Sequence, residues 1–128
     1  MKKRLIVTAM SLAGVMAVAA PAHATTAGVS GSVKSTTTYY TTARTITTGG
    51  TNVYLRLNAR NVDMKVWWYK CSDKSVRGSA VIFWAADTGR KTLGTNFTKG
   101  ASICLAAAAD IGQGSATWSG TLTWNVTS

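Results

Sequence analysis

A chain of 128 residues with 14 Lys+Arg, 4 Asp+Glu, one His, two Cys and one Pro has room for a single domain. It contains no Glu, its acids are Asp63, Asp73, Asp87 and Asp110, and its only His and Pro are His23 and Pro21. So few acids, bases and nucleophiles make it a poor candidate for an enzyme, and no cofactor is expected.

Lys2-Lys3-Arg4 forms a positive start, residues 5–20 are uncharged and mostly apolar, and Pro21-Ala22-His23-Ala24 ends in an A-x-A site. This is the pattern of a bacterial secretory signal peptide cleaved after Ala24. A membrane anchor is the rival reading, but the apolar run falls short of the ~20 residues that span a bilayer. Removing 24 residues from 128 leaves 104, and losing Lys2, Lys3 and Arg4 takes the net charge from +10 to +7. The only His leaves as well, so the mature chain has no material for a Ser-His-Asp, Cys-His or His-based zinc site. The localisation expected is secreted.

Residues 25–38, TTAGVSGSVKSTTT, are rich in Ser, Thr and Gly. Too little apolar surface is present to repay ordering, so a flexible arm is expected. Its isolated Val29 and Val33 suit a segment that adds a strand to a partner's sheet edge.

From Tyr39 onward, residues 39–128 read as one all-β domain rich in Thr, Val, Trp and Tyr. Turn signals recur about every 10 residues: Gly49-Gly50, Asn58-Ala59-Arg60-Asn61, Ser72-Asp73-Lys74, Asp87-Thr88-Gly89, Lys99-Gly100 and Gly112-Gln113-Gly114. They bound about seven strands, over 39–48, 52–58, 62–71, 78–86, 92–97, 102–108 and 115–126. Trp118, Gly120, Leu122 and Trp124 alternate with Ser119, Thr121 and Thr123; Val53, Leu55 and Leu57 alternate with Tyr54, Arg56 and Asn58. One buried and one wet face follow. Ala106-Ala107-Ala108-Ala109 is too short a run for a helix before Gly112 and Gly114, and is kept as strand plus loop. An immunoglobulin-like antiparallel β-sandwich is expected, with a small barrel as the alternative.

Cys71 and Cys104 are the only cysteines. In an exported chain two cysteines most often form one disulfide, here closing a loop worth roughly 3–4 kcal/mol; two free thiols are the rival reading.

The remaining motifs concern binding. Asp73, Asp87 and Asp110 fall in turns, where Asp caps backbone amides, so they do not suggest a catalytic pair. There is no D-x-D-x-D-G calcium run. Lys65-Val66-Trp67-Trp68-Tyr69-Lys70 is either a central strand covered on both faces or an exposed stacking platform; the covered strand is favoured. Lys70, Lys74 and Arg77 gather near Cys71, and Arg90-Lys91 and Lys99 sit in later turns. If the cysteines are bonded, residues 70–77 and the Lys99 turn share one end of the sandwich. That end would steer toward an acidic extracellular partner. Lys99, in Asn96-Phe97-Thr98-Lys99-Gly100-Ala101, also suits the acidic pocket of a trypsin-like protein, though an ordinary hairpin turn explains it too. Neither nucleic acid nor membrane insertion is expected.

Lys70-Cys71, then Lys99-Gly100 with Cys104-Leu105, then Trp118-Ser119-Gly120-Thr121-Leu122-Thr123-Trp124 resemble motifs of small exported actinobacterial sandwich proteins. Over about residues 50–126 the chain resembles the small adaptor subunit of the umbrella toxin particles. The resemblance implies a non-catalytic bridge between a lectin-bearing subunit with a trypsin-like domain and a large repeat-containing toxin subunit, secreted against competing bacteria. The arm and the Lys-bearing turn would be its contacts, and its partners other secreted subunits. Two other readings follow from the residues: an inhibitor of an extracellular serine protease using Lys99 or Arg90-Lys91, and a cationic cell-wall-binding or antimicrobial module.

Overall fold

The structure is a computed structural model that describes residues 24–110 and 112–127. The expected signal peptide, apart from Ala24, lies outside the described residues.

Ten strands build two antiparallel sheets, and no helix occurs among the described residues. Sheet I runs in the order β1 (Thr25–Val33), β10 (Ala116–Val126), β4 (Thr51–Arg60) and β8 (Lys91–Phe97). Sheet II is centred on β9 (Ser102–Ala109) and β5 (Met64–Lys70). The short β2 (Thr38–Tyr39) and β3 (Arg44–Thr45) pair with β9, while β6 (Asp73–Arg77) and β7 (Val81–Phe83) pair with β5. Val53, Leu55, Leu57 and Leu122 from sheet I meet Met64, Val66, Ile103, Ala107 and Ala109 from sheet II in one core. The alternation along β4 and β10 creates that core: each places an apolar side chain inward at every second residue. The molecule is an antiparallel β-sandwich.

The chain corrects several sequence-based expectations. Residues 25–33 are no free arm but strand β1, paired with β10 in unbroken register from Thr25↔Trp124 to Val33↔Ala116. Backbone pairing supplies what the Ser/Thr-rich composition lacks, and Ala27, Val29 and Val33 pack on the core. The strand expected over 39–48 is reduced to the two short bridges of β2 and β3 on β9. The strand expected over 78–86 shrinks to β7, and the expected turn at Ser72-Asp73-Lys74 runs into strand β6. Ala106 to Ala109 continue β9 as strand, opposite Trp67 to Met64 of β5. Small side chains suit that position because β9 is buried on both faces.

Cys71 and Cys104 are bonded, with Cα atoms 5.1 Å apart. The bond lies within sheet II, beside the Tyr69↔Cys104 pair of β5 and β9. In antibody domains the disulfide instead joins the two sheets. Here it sits with Trp67, Tyr69 and Ala106 in a small cluster separate from the main core.

Two bulges shape one end of sheet I. Between the Thr51↔Phe97 and Val53↔Gly94 pairs, β8 carries an extra residue, and between Thr123↔Tyr54 and Val126↔Asn52, β10 does the same. Each bulge holds an Asn in the left-handed region, Asn96 at φ 58° and Asn125 at φ 59°. Asn is among the few side chains that tolerate it. Side-chain bonds pin both: the Asn96 amide donates to Asn52 Oδ1 (3.2 Å), and buried Asn125 accepts at Oδ1 from the Thr47 amide (2.9 Å). Bulges of this kind increase the local twist of the strands that carry them.

A hydroxyl chain closes the other side of the core. Trp118 Nε1 donates to the Tyr40 hydroxyl (2.9 Å), which donates to the Ser32 carbonyl (2.6 Å). Tyr69 donates to the Tyr40 carbonyl (2.7 Å). Burial raises both phenols above the usual value of 10.0; the Trp118 bond partly offsets this for Tyr40, and the neighbouring Tyr39 adds to it for Tyr69. The folded state therefore holds these protons more tightly than the unfolded chain does. Their contribution is fully present below about pH 10 and is lost as pH rises through the raised folded values. Titration followed by phenolate absorbance should show Tyr40 and Tyr69 ionising above the usual phenol value, together with alkaline unfolding. Ionisation of Tyr40 and Tyr69 at the usual value while the protein stays folded would contradict the placement.

Candidate functional site

A cleft of about 670 Å³ opens where the ends of the two sheets part. Trp68 and Phe97 stack edge to face at its base, with ring centroids 4.9 Å apart. Trp68 points inward from β5, and its indole fits a notch made by Gly78 and Gly94: a Cβ at either position would overlap the ring. Val76 of β6, which is largely exposed, and Ile103 of β9 add apolar wall. Lys70 and Cys71 line one rim and Thr98 and Gly100 the other.

Lys99 stands at the corner of the second rim. The Ala101 amide donates to the Thr98 carbonyl (3.1 Å), and Gly100 has φ 90°. That is a type II turn, which requires a residue tolerant of positive φ at its third position and places Lys99 at the second. Gly100 further donates to the Ile46 carbonyl (2.7 Å), and Ile46 donates to Ala101 (2.8 Å), so the turn is tied to the segment before β4. The Lys99 side chain is exposed.

The structure therefore brings together residues that the sequence only suggested belong together. The start of the β5–β6 hairpin and the Lys99 turn line one cleft, with the disulfide between them. Within the hairpin, Lys74 Nζ lies 4.4 Å from the Tyr39 ring centroid and the Arg77 guanidinium 4.1 Å from that of Trp67. These contacts cover the aromatic face of β5: Trp67 and Tyr69 are 4% and 1% exposed. The covered-strand reading holds, and no open stacking platform exists on this strand. Asp73 accepts from the Ser75 hydroxyl and amide, which hold its carboxyl below the usual range.

Four expected contact residues fall elsewhere. Val33 is 1% exposed and has no surface to offer a partner; Val29 is half-buried on the core. Lys91 bonds Asp87 (2.7 Å) and the Ile82 carbonyl (2.9 Å), so its charge is spent within the fold. The Lys91 bond and the Trp84 amide lower the Asp87 carboxyl. Arg90 lies on the outer face of sheet I, over Tyr54. Arg90 and Lys91 precede or open β8 while Lys99 follows it, so its seven residues at about 3.3 Å each separate them.

No protein-family model matches the sequence. No curated protein matches it significantly either. The chemistry must be read from the residues themselves. Among the described residues no group of three or more His, Cys, Asp or Glu is placed to hold a metal ion. The cleft offers apolar surface at its base, hydroxyl and amide groups on its β8 wall and cations at its rim. Its lining combines apolar and cationic groups, the kinds that complement an apolar side chain and an acidic one.

Sequence reading missed Trp68 and Val76 as cleft residues. Trp68 has the inward phase of a core residue, and Val76 fell beyond a predicted turn. The available signal was the pair Gly78 and Gly94, small residues in strand-rich surroundings that mark the close approach of a bulky group.

Proposed function

We propose that the protein is a secreted, non-catalytic interaction subunit, an adaptor of the umbrella-toxin type that bridges a lectin-bearing subunit with a trypsin-like domain and a large repeat-containing toxin subunit. The observation that carries the reading is Lys99, exposed at the corner of a tethered type II turn beside an apolar cleft. An exposed Lys on a rigid corner enters an acidic pocket at low entropic cost, because the turn is ordered before binding. The cleft behind it gives the same partner an apolar anchor, and Lys70 on the opposite rim adds a second charge. Edge strand β1, uncharged and with no strand paired on its outer side, where only the Tyr40 hydroxyl reaches the Ser32 carbonyl, suits strand addition by the second partner. The signal-peptide pattern and the disulfide fit an extracellular setting.

Affinity purification of the tagged protein from culture supernatant tests this reading. Two larger subunits should co-elute in fixed ratio. Lys99→Ala should weaken retention of the trypsin-like subunit by tenfold or more, about the loss expected for a desolvated charge pair, and leave the other subunit bound. Lys99→Arg should retain most of the binding. A free inhibitor is the second reading, favoured by the same exposed corner. It prevails if the protein elutes alone, blocks trypsin, and loses the block with Lys99→Ala.

A further inference from the structure

The outer face of sheet I carries a groove that the cleft does not involve. Tyr54, Arg56 and Asn58 project from alternate positions of β4, and across the ladder Tyr54 faces Thr123 and Arg56 faces Thr121. With Arg90 these residues line a shallow depression of about 430 Å³. The Arg90 guanidinium lies 4.0 Å from the Tyr54 ring centroid. Asn58 Nδ2 donates to Thr121 Oγ1 (3.4 Å).

No carboxylate lines this groove. Asp63, Asp73 and Asp87 are engaged elsewhere, with the Ala85 amide, Ser75 and Lys91. The one ion pair among the described residues is Lys91–Asp87, so Arg56 and Arg90 bring two positive charges without an anionic partner. A guanidinium held against a ring is preorganised and keeps planar donors for an oxyanion. Around it lie hydroxyls and an amide, the groups that pair with sugar hydroxyls. The lining has no apolar anchor of the kind that dominates protein interfaces, since Arg90 already covers the Tyr54 ring.

We propose that this groove binds an anionic glycan, its oxyanion held by Arg56 and Arg90 and its sugar hydroxyls by Asn58, Thr121 and Thr123. The site is independent of the adaptor reading. The same chain could meet one partner subunit through the Lys99 end and an anionic cell-surface polymer through this face.

Titration calorimetry of the purified full chain tests the site with four probes: poly(ribitol phosphate), polygalacturonate, dextran and polyglutamate. Binding to either of the first two, with dextran and polyglutamate much weaker, is expected; which of the two binds tells phosphodiester from carboxylate. The R56Q/R90Q variant should lose about tenfold or more in affinity. The K34Q/K65Q variant, with the same charge loss away from the groove, should change by less than about threefold. R56K/R90K, which keeps charge and fold but loses the planar fork, should fall between them. Equal losses in R56Q/R90Q and K34Q/K65Q, tighter binding of polyglutamate than of either glycan, or no binding to either glycan would overturn the proposal.

Discussion

Gly120→Ala is expected to destabilise the protein by about 3 kcal/mol, the upper end of what overpacking costs. Gly120 is buried in β10, between Val29 of β1 and Leu57 of β4, at the point where the β10–β4 register shifts. A Cβ there would overlap the Arg56 carbonyl oxygen and come within 3.0 Å of Leu57 Cδ2. The carbonyl belongs to the neighbouring strand and cannot rotate away as a side chain can. Relief requires β4 and β10 to separate, which opens the core at Leu55, Leu57 and Leu122. For a domain of this size the loss corresponds to a fall in Tm on the order of 15 °C. Gly28→Ala provides the control. Gly28 lies in the adjacent strand β1, and nothing lies within 4 Å of a Cβ built there. Its stability should stay within about 0.5 kcal/mol of the parent. Equal melting temperatures for the two variants would show that the strands are not packed as described.

Loss of the disulfide is the second large effect. Cys71 and Cys104 are 33 positions apart, and in the chain-entropy model closing a loop of that length restricts the unfolded chain by roughly 3–4 kcal/mol. The double variant Cys71→Ala/Cys104→Ala should lose about that amount, read from the urea midpoint together with a slope that rises as the unfolded chain expands. The sulfurs pack with Trp67, Tyr69 and Ala106, so some contact area goes too. The bond also ties the turn after β5 to the start of β9, and Cys71, Ser102 and Ile103 all line the cleft. The variant should therefore bind the Lys99-dependent partner more weakly even where it is fully folded. A loss below about 1 kcal/mol would mean that the unfolded chain is already restrained without the bond.

The strands that make the core were legible because they are half-buried. Val53, Leu55 and Leu57 of β4, and Trp118, Gly120, Leu122 and Trp124 of β10, announce their inward face by alternation. Where that signal is absent the reading failed. Residues 25–33 look too polar to order, yet β1 gains its place through backbone bonds to β10, which are blind to side-chain type. β6 is exposed along its whole length, so no periodicity marks it. Residues 39–48 read as one strand on composition, but they bridge β9 only at two short points. The disulfide and the Lys99 turn were visible from Cys count and Lys-Gly spacing. The cleft between them was not, because its β8 wall carries the bulge at Asn96, whose amide is held by an Asn52 side chain from the neighbouring strand. The separation of Arg90 from Lys91 was equally hidden: neighbours in sequence, one joins an ion pair and the other an aromatic ring.

The native size of the protein in the culture fluid of the producing organism tests the central claim most directly. Size-exclusion chromatography of untreated supernatant, read by an antibody to this chain, should place it in a particle many times the mass of the single 104-residue mature chain. The same experiment with Lys99→Ala should shift it to a smaller assembly. Elution of the parent chain as a monomer, unchanged by Lys99→Ala, would contradict the account.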